Sequence, residues 1–333
     1  MRWGMNEGDF MTVTADATVH VSVLFDEVME VMAPLAGKRI VDGTLGGGGH
    51  TRGFLERGAD VVGLDWDSAA LVRCAPLVEE FGERVHLVRA TYDTIAEVLA
   101  GPVLANWVNC GKEVVGALPG KVDGILLDLG FSSDQLDDPK RGISYHLEGP
   151  LDMRLGSHVK KTAADLLNGL REEELADIFY VYGEEPKSRV LARVIVKTRK
   201  TEPFVNTKDL LKAVEVVYPP RLGLKRAHPA ARIFQALRVA VNDEMHTLER
   251  ALPEAAWCLK VGGRLAVISF QPLEERAVKA AFRKLCADEL DEVGRVKTPA
   301  KFKMGRKIVP TDAEIDRNPR ARSAILRVLE RVG

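Results

Sequence analysis

The chain reads as a doubly wound parallel α/β sheet with an all-helical domain inserted between its fourth and fifth strands. Three observations predict this. Short apolar runs alternate with helical stretches up to residue 128, the signature of a parallel sheet with helices on both faces. The alternation stops over residues 138–226, where the patterns are helical or turn-like. It resumes in "GGRLAVISF", apolar on both faces as a buried parallel strand should be.

Each element has its own signal. "VSVLFDEVMEVMAPL" puts Val21, Leu24, Val28 and Met32 on one helical stripe, ended by Pro34 and Gly37. "RIVDGTL" is the first strand and "TRGFLERG" the helix after it, closed by Gly58. "DVVGLDWD" is the second strand. The helix "SAALVRCAPLVEEFG" follows, with Asp67 or Ser68 as its cap. "RVHLVRA" and "DTIAEVLA" make the third pair. Residues 101–120 are glycine-punctuated and read as a loop or insertion, and "KVDGILLDLG" is the fourth strand. The insert carries four helical patterns, "KTAADLLNGL", "REEELADIFYVYG", "SRVLARVIVKTRK" and "NTKDLLKAVEVVY". Long helices in "PAARIFQALRVAVNDEMHTLERALPEAAWCLK" lead back to the sheet. The expected domains are a loose tail at 1–19, a discontinuous sheet domain at 20–137 and 227–333 with a basic segment from about 296, and the helical insert at 138–226.

Composition narrows the function classes. Apolar residues are 46%, charged residues 29% and the formal net charge −1, which argues against a chain that is basic throughout but leaves room for local basic patches. Cys74, Cys110, Cys258 and Cys286 lie far apart, with no CxxC pair and no metal-binding constellation. No signal-peptide pattern opens the chain and no apolar run could span a bilayer. The expectation is a reduced, cytoplasmic protein.

The candidate site lies in "IVDGTLGGGGH". Glycines at a strand-to-helix turn let the main chain touch a ligand with no Cβ in the way. A P-loop needs GxxxxGK[ST], and no Lys-Ser or Lys-Thr follows. A dinucleotide fingerprint fails because Thr51 stands where its last glycine belongs. A nucleoside ligand without phosphates, such as S-adenosylmethionine, remains. It needs an acid at the end of the second strand for the ribose hydroxyls, and Asp65 stands there, nineteen positions after Gly46. Asp128 ends the fourth strand, where a cofactor's reactive end would lie. Tyr92 and Gln135 occupy loops at the same rim and suit a purine face and edge. His50, read alone, is a cap or a core histidine.

Longer blocks carry a resemblance. "HVSVLFDEV", "VDGTLGGGGHT", "VDGILLDLGFSSDQLDDPKRGISY", "GPLDMRL", "YGEE", "HPAARIFQALRVAVNDE", "GGRLAVISF" and "NPRARSAILRVLER" occur in this order from about His20 to Arg331. Together they closely resemble the bacterial 16S ribosomal RNA (cytosine-N4)-methyltransferases of the RsmH (MraW) type. The resemblance implies a class I (Rossmann-like) methyltransferase sheet with a helical insert. It also implies N4-methylation of a cytidine in the decoding region near the P site, on an assembled or nearly assembled small subunit. Carried over by matching words, the cofactor contacts fall on Gly48, Gly49, His50, Asp65, Tyr92, Asp128 and Gln135. Two departures stand out. The family's "GRGGH" is "GGGGH" here, losing an arginine at Gly47. Its "SFHSLEDR" is "SFQPLEER", with Gln271 for a histidine and Pro272 for a serine.

For catalysis, Asp128 is the candidate that orients the target amine, with Ser132 and Ser133 as possible helpers. For RNA, six basic residues lie between Lys187 and Lys200, among them Arg189, Arg193, Lys197 and Arg199. Lys225, Arg226, His228 and Arg232 follow, and nine Lys or Arg meet four acids from Lys301 onward. Gln271 is the residue expected at the target base. The alternatives are a ribosome-binding factor that keeps the fold but has lost catalysis, and a methyltransferase for small molecules. The sequence does not fix an oligomeric state, a homodimer included.

Overall fold

The computed structural model describes residues 22–100, 120–130, 136, 138–156, 159–219 and 228–333. Parallel strands β1 (Arg39–Asp42), β2 (Asp60–Asp65), β3 (Val85–Arg89), β4 (Val122–Asp128) and β5 (Leu259–Ser269) form the body of one sheet. A short antiparallel pair, β6 (Glu289–Leu290) and β7 (Val296–Thr298), stands apart from it. β8 (Phe302–Met304) and β9 (Ile325–Arg331) complete the sheet in the order β3-β2-β1-β4-β5-β9-β8.

The sheet is mixed, because β9 runs antiparallel to both β5 and β8. Residues 325–331 read in the sequence only as part of a basic segment, yet Ile325, Leu326, Val328 and Leu329 supply the apolar side chains of a strand covered on both faces. Leu326 and Leu329 are fully buried, and the Arg327 guanidinium is spent on Glu275 at 2.9 Å and 3.0 Å.

Strand alternation sends side chains to opposite faces. Val41, Ile125, Leu127, Leu265 and Val267 join one core cluster. It is covered by α4 (Ile95–Ala100), the helix Glu244–Trp257 and the helix Pro272–Leu285. Ile40, Val61, Leu126, Ala266 and Ile268 join the other, under α1 (Phe25–Met32), α2 (Gly49–Glu56) and α3 (Ser68–Phe81). Helices on both faces are the doubly wound arrangement expected from the sequence.

The insert contains α5 (Ala163–Gly169), α6 (Glu172–Val181), α7 (Ser188–Thr198) and α8 (Thr207–Val217). A capping box opens α5: Asp165 N–H donates to Thr162 Oγ1 and Thr162 N–H donates back to Asp165 Oδ2. The insert's core also takes in Ala230, Ile233, Phe234, Leu237 and Val241 of α9 (Ala230–Asn242). α9 also gives Val239 to the sheet-side core and ends at Asn242, where Asp243 in a left-handed conformation (φ 51°) turns the chain into α10 (Glu244–Trp257). α11 (Pro272–Leu285) and α12 (Asp312–Arg317) follow in the returning sheet domain.

Asn242 ties the entry of the insert to its exit. Its Oδ1 accepts Leu155 N–H, and its Nδ2 donates to the carbonyls of Met153 and Arg238, all at 2.8 Å. Removing that amide strands partly buried backbone groups, each costing about 1–3 kcal/mol. Asn242→Ala is expected to lower unfolding free energy by an amount in that range in urea titration.

Candidate cofactor site

Adjacent strands β2, β1 and β4 each end in an aspartate at the same rim of the sheet: Asp65, Asp42 and Asp128. This is the edge where the winding reverses and open α/β sheets bind ligands. The glycine turn lies across it. Leu45 N–H donates to Leu64 O and Gly43 N–H to Leu126 O, so the turn is pinned to strands on both sides of β1. Gly48, at φ 76°, opens α2, and a Cβ there would sit 2.7 Å from Cys74 Sγ. Gly47 faces open space: a Cβ there would meet nothing within 4 Å among the described residues.

Asp65 is held by two backbone donors, Gly46 N–H on Oδ2 at 2.9 Å and Asp67 N–H on Oδ1 at 2.8 Å. Each oxygen keeps a lone pair for a further donor, which suits a vicinal diol. Asp67 is the cap of α3, accepting Ala69 N–H at 3.1 Å, and it also accepts Arg141 Nη2 at 2.7 Å.

Asp42 accepts from Thr51 Oγ1 at 2.7 Å and Thr44 N–H at 3.2 Å, yet burial pushes its pKa up to about 6. Asp128 is pushed further, to about 8, first by desolvation and then by the charges of Asp42 and Glu274. Its side chain is 25% exposed toward the rim, while Oδ1 is buried and has no hydrogen-bond partner among the described residues. Its N–H donates to Thr44 Oγ1 at 2.6 Å. Glu274 accepts the N–H groups of Phe270 and Gln271 at the start of α11, and burial raises it to about 7.

His50 supplies no compensating charge. Its Nε2 lies 3.2 Å from Val23 O, which can only accept, so Nε2 carries the proton and Nδ1 turns a lone pair toward Asp128 Oδ2, 3.9 Å away. Burial lowers its pKa to about 4. The ring stacks on Phe25 at 6.0 Å. Tyr92 opens a short turn after β3, its Cβ close to Gly43, and desolvation keeps its phenol protonated.

The structure therefore brings Gly48, Gly49, His50, Asp65, Tyr92 and Asp128 to one rim. Ser132, Ser133 and Gln135 lie outside the described residues, as do Lys225 and Arg226. Asp42 and Glu274 were missed in the sequence. Their signal was the recurrence of an aspartate at successive strand ends and the acid three places after Gln271. Gln271 caps α11 with its Oε1 buried and without a partner among the described residues.

The basic residues of the insert divide. Arg189, Arg193 and Lys197 recur every fourth position on the exposed face of α7, with Arg193 also paired with Glu172 at 3.5 Å. Lys187 is engaged by Val217 O at 3.2 Å and the Tyr218 ring at 4.3 Å, Arg199 by Leu167 O at 2.7 Å, and Arg232 by the buried Glu185 at 2.9 Å.

Sheet order and rim define a class I methyltransferase, and the rim's groups suit a nucleoside donor: bare backbone, an acid for the ribose, and carboxylates that suit a net cation. Comparison with known proteins agrees. The MraW methylase family profile matches residues 17–332. Ribosomal RNA small subunit methyltransferase H of Magnetococcus marinus is 43% identical over 326 residues, covering 94% of this chain and 98% of that protein. The protein of the same name from Deinococcus deserti is 45% identical over 323 residues, covering 96% of each. A solved rRNA methylase from Streptococcus thermophilus aligns over 94% of this chain and 99% of that one, at 12% identity and a TM-score of 0.41, too distant to bear on the site. The chain belongs to the MraW methylase family, and its donor is S-adenosylmethionine.

Two outcomes follow from the geometry. Asp65→Ala is expected to weaken donor binding about tenfold or more in calorimetry, since charge-assisted hydrogen bonds contribute about 1.5–3 kcal/mol. Unchanged affinity would remove Asp65 from the site. The raised pKa of Asp128 means the folded donor-free protein holds a proton that the unfolded chain releases. Its stabilising contribution is complete below the ordinary carboxylate range and lost as pH rises through about 8. Asp128→Asn should therefore gain thermal stability over wild type as pH rises from 5 to 8.5, read by melting temperature in the absence of donor.

Proposed function

We propose that this protein transfers a methyl group from S-adenosylmethionine to N4 of a cytidine in the decoding region of 16S ribosomal RNA. The substrate in this reading is an assembled or nearly assembled small subunit in the cytoplasm. The RNA class is supported by near-full-length relatedness to proteins named for small-subunit ribosomal RNA. The amine chemistry is carried by one observation: a carboxylate at the end of β4, Asp128, that is partly exposed at the rim and whose buried Oδ1 has no hydrogen-bond partner among the described residues.

The exocyclic amine of cytosine is a weak nucleophile because its lone pair is delocalised into the ring. The bound donor supplies an activated methyl group on a sulfonium; the rest falls to the chain. Asp128, once ionised, accepts an N4–H hydrogen bond through Oδ2, the oxygen that is not sealed off from the rim, and draws the nitrogen lone pair out of conjugation. As the new N–C bond forms and the C–S bond breaks, the nitrogen sheds one proton, for which Asp128 is the nearby acceptor. Holding amine and methyl in line can itself lower the barrier by about 7–11 kcal/mol. Gln271 follows β5, the strand paired beside β4 with Ile268 opposite Asp128. It offers a neutral amide to the base where the family usually has histidine. The target must leave its stack to reach the rim, at a few kcal/mol. The exposed stripe Arg189, Arg193 and Lys197 is placed to repay this through phosphates.

Small subunits from cells lacking this protein, incubated with it and methyl-labelled donor and then digested to nucleosides, should carry label in N4-methylcytidine. Tight subunit binding with no label would instead support a factor that has lost catalysis. Label confined to small molecules would contradict an RNA substrate. Asp128→Asn should reduce kcat by about 100-fold or more, within the usual range for a positioned proton acceptor.

A further inference from the structure

Beside the cofactor rim lies a second, open cleft of about 400 Å3, bounded by Trp66, Arg89, Lys140, Arg141, Asp152 and Arg154. Resting on the RNA-methylation reading above, we propose that this cleft holds a backbone phosphate of the substrate strand, on a nucleotide neighbouring the target.

Four cations face two carboxylates here, Asp67 and Asp152, in a chain whose net charge is −1. Both carboxylates are already committed. Asp67 takes Arg141 at 2.7 Å and caps α3; Asp152 takes Arg154 through Nε at 2.8 Å and Nη2 at 2.7 Å. An arginine has five N–H donors, so a guanidinium held this way keeps others for an anion. The carboxylates thus fix the guanidinium forks more than they neutralise the cleft. Arg89 is held too, its guanidinium 5.1 Å from the centre of the Trp66 ring and its Nε 3.3 Å from Trp66 O. Lys140 is exposed, and its ammonium has no partner among the described residues. Fixed guanidinium forks and a point charge are a phosphate-recognising donor set. With Arg89 over the Trp66 ring, hydrogen-bond donors rather than stacking decide what binds.

Position decides which phosphate. Trp66 follows Asp65, and Arg89 ends β3 in register with Asp65. Asp128 ends β4, on the far side of β1. At about 4.8 Å per strand, β2 and β3 lie roughly 10 and 15 Å from β4, too far for the reacting nucleotide and within reach of a neighbour on the same strand. The walls come from both bodies: Trp66, Asp67 and Arg89 from the sheet, and Lys140 to Gly156 from the segment entering the insert. A phosphate seated here would bridge them, adding to the Arg141–Asp67 pair.

The test uses the full chain, a short single-stranded RNA and undermethylated small subunits, with binding read by fluorescence anisotropy and filter retention. Lys140→Glu should weaken binding of both about tenfold near 0.1 M salt and reduce the slope of log affinity against log salt by about one, with no change in melting temperature or donor affinity. Lys140→Arg should bind as wild type. Unchanged affinity and slope for Lys140→Glu would overturn the proposal, as would a wild type that binds no RNA. Inorganic phosphate is titrated in parallel by 31P line broadening. Lys140-dependent phosphate binding with Lys140-independent RNA binding would mark a free-anion site and also overturn it. Because the readout is binding, the reaction can fail separately. Lys140-dependent subunit binding without N4-methylcytidine would remove the reaction assigned above and leave this cleft standing, and the reverse result would do the opposite.

Discussion

The active edge of this protein is governed by carboxylates that have been taken out of water without enough positive charge to match. Asp65, Asp42 and Asp128 end neighbouring strands, and Glu274 stands just past the next. His50, the nearest group that could become a cation, is held neutral by burial. Arg238 is bound to Glu244 through both its Nε and Nη2, and its charge offsets the burial of Glu274 only in part. The resulting excess of buried acid is tolerated by keeping protons on, which is why Asp42, Asp128 and Glu274 are all raised. A ligand with a net positive charge relieves the same strain by another route. S-adenosylmethionine carries one net positive charge and its demethylated product carries none, so a single electrostatic feature favours the donor and loosens the hold on the product.

The fold produces this situation by geometry. Parallel strands point their carboxyl ends at one rim, and covering helices on both faces make that rim dry. The glycine turn brings the Gly46 N–H against Asp65 and carries no side chains from Gly46 to Gly49. The insert is fastened to the same edge. Arg141 holds Asp67, whose N–H in turn holds Asp65, and Asn242 closes the entry and exit of the insert on each other. The candidate donor site and the insert are thus joined through a short chain of hydrogen bonds.

Much of this was legible in the sequence, and the failures have physical causes. Alternating patterns placed β1 to β5 and the helices of the insert, because apolar periodicity reports burial directly. Asp65 followed from its distance to the glycines and Asp128 from its place at a strand end. Asp42 was passed over because it reads as one more residue of the first strand; its importance comes from burial beside other acids, which no single word reveals. β9 was hidden because its arginines were counted as surface charge, although Arg327 is paired inside the protein. Nor does the sequence show that Lys187, Arg199 and Arg232, expected on the RNA surface, also have partners within the protein. Their partners, Val217, Leu167 and Glu185, lie 30, 32 and 47 residues away. The packing of α9 with the insert was also unreadable, since an amphipathic helix does not say which core it faces.

Carbon-13 NMR titration of the Asp128 carboxyl, with and without bound S-adenosylmethionine, reaches the central claim most directly. The account predicts a midpoint near 8 in the free protein, falling to the ordinary carboxylate range or below when the donor is bound. An ordinary midpoint in the free protein, unmoved by the donor, would contradict it.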